Sequence, residues 1–150
     1  MFEPAFVRTR RMLPRLAEAQ NWRCCWCGFR MIRNRDVMPE VRAVLGDGGR
    51  RGHFVRMAVL RSASVEHVVP RCDGGTDEAE NLVASCRCCN EFRSNQPVEV
   101  AAVRIERLLR RGSHPHQVWE RDRVVVEVNP LRTVHRAPGS VARVMEVAHA

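Results

Sequence analysis

The spacing of the cysteines constrains this chain more than any other feature. Seven cysteines fall into two tight clusters and a singleton: Cys24, Cys25 and Cys27; Cys86, Cys88 and Cys89; and Cys72. Each cluster contains a C-x-x-C, from Cys24 to Cys27 and from Cys86 to Cys89. Disulfide scaffolds scatter their cysteines along a short secreted chain, whereas two knuckle-like pairs suit a metal ion. Four thiolates at ~2.3 Å complete a tetrahedral zinc and close it to water, so the expected ion is structural. Gly28, directly after the first pair, suits a tight knuckle turn that needs an unusual backbone angle. Two alternatives stay open: Cys25 in place of Cys24, and Cys88 in place of Cys86. Cys72 reads as a free thiol in a loop.

Composition narrows the class further. The chain has 150 residues, 45% of them hydrophobic and 28% charged, which is ordinary for one globular domain with short extensions. No apolar run approaches the ~20 residues that span a bilayer. The first residues lack the apolar stretch of a secretory signal, so a cytoplasmic setting that keeps thiols reduced is expected. The net charge is +8, and all 25 basic residues are arginine; guanidinium forks suit phosphate oxygens. Residues 1–61 carry 13 Arg against 5 acids, residues 62–97 carry 3 against 6, and residues 98–150 carry 9 against 6. A mildly acidic centre between basic flanks is what a cation site bordered by phosphate-binding surface needs.

Local patterns supply a coarse map. Residues 12–21 predict a helix with Pro14 in its first turn and Asn21 at its end. Residues 22–29 form the first knuckle. Residues 30–52 read as irregular, with a glycine-rich loop at 46–52. Residues 54–60 predict a strand and residues 63–69 a second one, stopped by Pro70. After the Gly74-Gly75 loop, residues 82–84 predict a short return strand, and Cys86 opens a helix to about Phe92. Pro97 and Gly112 bracket a helix over 98–111. Residues 124–128 predict a strand and 141–148 a last helix.

From Ser64 to Arg93 the chain resembles the HNH endonuclease family, in its four-cysteine zinc branch. The residues that carry the resemblance are the acid–histidine pair Glu66-His67, Pro70, the Gly74-Gly75 turn, Asn81 before Leu82, and Cys86, Cys89 and Asn90. The stretch from Asn21 to Gly28 matches the upstream knuckle. Three departures stand out: residues 30–61 are expanded, Glu66 stands where Asp is commoner, and Asn90 takes the third motif position in place of histidine.

The resemblance implies an α+β fold: a treble-clef-like ββα-metal core with a structural zinc knuckle, a helical N-terminal arm and a mixed C-terminal extension. The corresponding division is a basic arm over 1–21, a nuclease core over 22–97 and a helix-and-strand extension over 98–150. It also implies the roles. His67 would be the general base, since an imidazole with a reference pKa near ~6.5 can take a proton from water at neutral pH. Glu66 and Asn90 would supply oxygen to a catalytic magnesium or manganese ion. Strand alternation sends Glu66 and His67 to opposite faces unless the strand bends. Asn81 would pin the loop backbone. Cys24, Cys27, Cys86 and Cys89 would hold the zinc.

Arg71, Arg87 and Arg93 would be the nearest phosphate clamps, with Arg50, Arg51, Arg110 and Arg111 farther out. The implied activity is metal-dependent hydrolysis of DNA phosphodiester bonds, leaving 5′-phosphate and 3′-hydroxyl ends, in a bacterial or phage setting. Double-strand cutting by a chain with one site would favour a homodimer. The alternative is a zinc-ribbon module that binds nucleic acid without cutting it.

Overall fold

A computed structural model describes residues 5–46 and 51–128. The chain begins with helix α1, Ala5–Ala19. Helices α2 (Val37–Leu45) and α3 (Arg51–Arg61) follow the first knuckle. Strands β1 (Ala63–His67) and β2 (Leu82–Cys86) form an antiparallel pair, with Ala63 opposite Cys86 and His67 opposite Leu82. Helix α4 (Arg87–Arg93) leaves β2 directly, and α5 (Val98–Arg110) and α6 (Pro115–Val128) complete the described chain. The sheet, α4 and a cluster of four cysteines make this an α+β fold of ββα-metal type.

Several local expectations are corrected. Residues 54–60 are helical: Phe54, Ala58 and Arg61 are buried within α3, at the i, i+4, i+7 spacing of one helix face. Residues 30–52 are not wholly irregular, because α2 buries Val37 and Val41 one turn apart. Pro39 sits in the first turn of α2, where a missing N–H costs no bond. Residues 124–128 are the end of α6, whose Pro115 is its first helical residue. Pro14 lies inside α1, well past the first turn. The helix expected over 141–148 falls outside the described residues.

Two cores organise the packing. One surrounds the sulfurs: Ala17, Met31, Ala63, Ala84 and Ile105 are buried with Cys24, Cys86, Cys88 and Cys89. The other joins α2, α3 and α6 through Val37, Val41, Phe54, Ala58, Trp119 and Val126. Helix α1 lies across both strands. Just beyond its end, the Gln20 amide donates to Ala84 O at 2.9 Å and accepts from Ala84 N at 2.8 Å. One side chain thereby serves both backbone groups of a β2 residue, whose carbonyl also accepts from Cys25 N at 3.3 Å. The chain then reverses through Asn21 (φ 52°) and Trp22 (φ 58°) into the knuckle.

Candidate metal centre and catalytic loop

The sulfur site is built from two turns. Gly28, at φ +72°, lets the first knuckle fold back, and its N–H bonds Cys24 O at 3.0 Å. The second knuckle is the junction of β2 with α4. Cys86 caps α4, its sulfur accepting from Cys89 N at 3.4 Å. Likewise the Cys24 sulfur accepts from Trp26 N at 3.4 Å.

Together the turns bring the sulfurs of Cys24, Cys27, Cys86 and Cys89 within 4.8 Å of one another. Cys27 Sγ and Cys86 Sγ stand 3.9 Å apart, close to the ~3.8 Å edge of a tetrahedron with ~2.3 Å zinc–sulfur bonds. The neighbouring thiols of Cys25, Cys27, Cys86 and Cys89 pull the pKa of Cys24 down. Hydrogen bonding to Cys24 in turn pushes Cys86 and Cys89 up. Four such sulfurs cannot all ionise side by side without a cation, so the donor set fits a structural zinc. Of the two open alternatives, Cys25 is exposed and lies outside the group. Cys88 is buried in the same core but also lies outside the group, and burial pushes its thiol up to about 12, which keeps it protonated. Cys72 is exposed.

The second group of expected residues lies on β1, α4 and the loop between the strands. His67, the last residue of β1, has its Nε2 2.7 Å from Asp77 Oδ1. Arg71 donates to the same oxygen from Nε at 2.9 Å and Nη2 at 2.6 Å. The hydrogen bond from His67, and then those from Arg71, hold the Asp77 carboxyl below its usual range. An ionised carboxylate can only accept, so the Asp77 bond requires a proton on His67 Nε2, and in the neutral ring Nδ1 then keeps the lone pair. Sequence reasoning missed Asp77. The available signal was an acid just past a Gly-Gly turn, in reach of a histidine whose ring needs an orienting partner.

Asn81 ties the loop together. Its Oδ1 accepts from Val69 N at 2.8 Å, while Nδ2 donates to Val69 O at 3.0 Å and Thr76 O at 2.8 Å. A side chain on Gly75 would overlap the Val69 carbonyl, so this close approach requires glycine. Asn90, on α4, donates from Nδ2 to Ser64 Oγ at 3.0 Å and Val65 O at 2.9 Å. Neither bond uses the amide oxygen, which remains as a donor atom for a cation.

Two expectations are corrected at this site. Glu66 does not stand with His67. It is 4% exposed and faces inward, 3.5 Å from Arg93 Nε. Burial pushes its carboxyl up, against the opposing pull of Ser85, Trp26 and Arg93. Strand alternation operates here without a bend. Arg93 is correspondingly not a surface clamp: it is 3% exposed, pairs with Glu66 and donates to the carbonyls of Gln96 and Val68. Arg71 is exposed but engaged with Asp77, and Arg87 is half-buried. A cavity of about 400 Å³ beside the first knuckle, lined by Trp22, Arg30, Arg33, Asp36, Glu40 and Arg61 among others, contains none of the expected site residues.

Comparison with known proteins gives one family match. Residues 49–96 match the family described as HNH endonuclease. That span includes β1, the loop, β2 and α4, and begins after the first knuckle. Neither the comparison with curated proteins nor that with solved structures gives a match.

Proposed function

We propose, from the match of residues 49–96 to the family described as HNH endonuclease, that the chain hydrolyses DNA phosphodiester bonds with His67 as general base. The observation that carries the reading is the 2.7 Å bond from His67 Nε2 to Asp77. It fixes the ring orientation and tautomer, so the free Nδ1 can take the proton of an attacking water. General-base assistance of this kind contributes about 10²–10⁴-fold.

Asn90 is the expected ligand for a magnesium or manganese ion whose donor oxygen is left uncommitted, while the Glu66 carboxylate is committed to Arg93. A bound divalent cation would supply stabilisation of charge on the phosphorane and the leaving oxygen. Asn81 holds the loop that carries Asp77, and so acts by positioning. A zinc ion held by Cys24, Cys27, Cys86 and Cys89 would fix the start of α4, one residue from Asn90. The arginine-rich flanks supply the charge that retains a polyanion.

The test is incubation of supercoiled plasmid with magnesium or manganese. The wild-type chain nicks or linearises it, and a folded His67→Ala chain loses about 10²–10⁴-fold in rate. Equal cleavage by the variant removes the assignment. Retention of DNA with no cleavage by either chain supports the non-catalytic zinc-ribbon alternative.

A further inference from the structure

The sulfur cluster has histidine neighbours, from a segment outside the family match: ring nitrogens of His114 and His116 lie within 4.8 Å of each other and of Cys27 Sγ. His114 stands in the turn between α5 and α6. Gly112, at φ +63°, reverses the chain there, and Gln117 steadies the turn by accepting from His114 N at 3.3 Å and donating to Leu109 O at 3.0 Å. The His114 side chain is fully buried. Its Nε2 lies 3.4 Å from Cys89 Sγ and 3.9 Å from Cys86 Sγ.

The other ring nitrogen settles the proton. His114 Nδ1 accepts the backbone N–H of His116 at 3.3 Å. A neutral imidazole that accepts at one nitrogen donates at the other, so His114 turns an N–H, not a lone pair, toward the sulfurs. The ring is held there by its neighbours. His116 stacks on it at 5.2 Å, and Phe29 of the first knuckle stacks on His116 at 5.0 Å.

We propose that His114 is a hydrogen-bond donor to the zinc thiolates, and that this bond fastens the α5–α6 extension to the metal. The inference rests on the reading that the four cysteines hold zinc. Four thiolates around one divalent ion leave a net charge of about −2, and N–H donors to an anion make the stronger class of hydrogen bond. The backbone N–H groups of Trp26 and Cys89 serve Cys24 and Cys86. His114 brings a further donor, directed at Cys89. It is a positioning residue: it orients a ligand and tempers its charge without touching the ion. Partners of this kind, when removed, typically cost 10–100-fold in metal affinity.

The experiment uses the full chain loaded with cobalt(II) or zinc. Nitrogen NMR of the wild type is expected to place the His114 ring proton on Nε2. His114→Phe keeps a ring in the turn but removes the donor. It should shift the thiolate-to-cobalt charge-transfer band to lower energy and release zinc to a chelator about 10–100-fold faster. His114→Gln, which offers an amide N–H near the same place, should restore both readouts. A His114→Phe chain with the wild-type band and release rate overturns the proposal. So does a wild-type ring proton on Nδ1, a measurement that needs no variant to fold. A wild-type chain that binds neither ion overturns the zinc reading and this proposal together, whereas a chain that binds both but ignores the substitution overturns this proposal alone.

Discussion

A carboxylate that receives three donors on one oxygen is a residue-scale device with a residue-scale consequence. Asp77 Oδ1 takes His67 Nε2 and both Arg71 bonds, and its carboxyl is depressed by them. The contribution of this group to the loop is therefore complete above the ordinary carboxylate value, and it is lost as pH falls through the depressed one. NMR titration of the Asp77 carboxyl should show that lowered midpoint. Asp77→Asn should lower cleavage by up to the ~10²–10⁴-fold that a working base supplies, because an amide can offer His67 an N–H and favour the wrong tautomer. An Asp77→Asn chain with wild-type turnover would show that the ring orients itself. His67, Asn81 and Asn90 could be singled out in the sequence because their register with the Gly-Gly turn and the cysteines resembles the family pattern. Asp77 could not, since only the folded loop sets it against the ring. Glu66 was legible as an acid beside His67, but not as a buried partner of Arg93, because that pairing spans a strand and a helix.

At the scale of elements, the metal-linked pieces were easier to read than the apolar ones. Ligand spacing is dictated by the geometry of the ion, so β1, β2 and α4 announced themselves. Helices α2, α3 and α6 did not. The apolar stretches in α3 and at the end of α6 satisfy a strand pattern equally well, the α2 segment reads as irregular, and only packing against one another decides the period. Trp119 is central to that packing. It is 3% exposed, meets Phe54 edge-on at 5.5 Å and carries the Arg61 guanidinium over its ring at 4.5 Å. Arg61 in turn donates to Glu40 of α2 at 2.8 Å. Trp119→Ala should cost about 3–5 kcal/mol, read as a lowered midpoint in denaturant. Limited proteolysis should then cut near α6 first. Loss of stability without early cleavage there would mean that α6 is held elsewhere.

Across the whole molecule, the surplus of arginine divides into charge that faces solvent and charge consumed inside. Arg61 and Arg93 are both buried and paired with acids. Net charge alone gives no sign of this division. Arg93→Met should leave the salt dependence of DNA retention unchanged, since no phosphate contact is removed. The same substitution should lower stability by about 3–5 kcal/mol, because Glu66 would be left buried without its counter-charge. A shallower salt slope in that variant would place Arg93 at the DNA after all.

The sulfur cluster also has a consequence for how the chain is made. Cys27 and Cys86 meet although 59 positions separate them, and His114 joins still later. A ribosome therefore delivers the first knuckle long before its partners, and for that interval its thiols wait unguarded against oxidants. Biosynthesis ends that interval once Cys89 emerges and the four sulfurs can close on an ion.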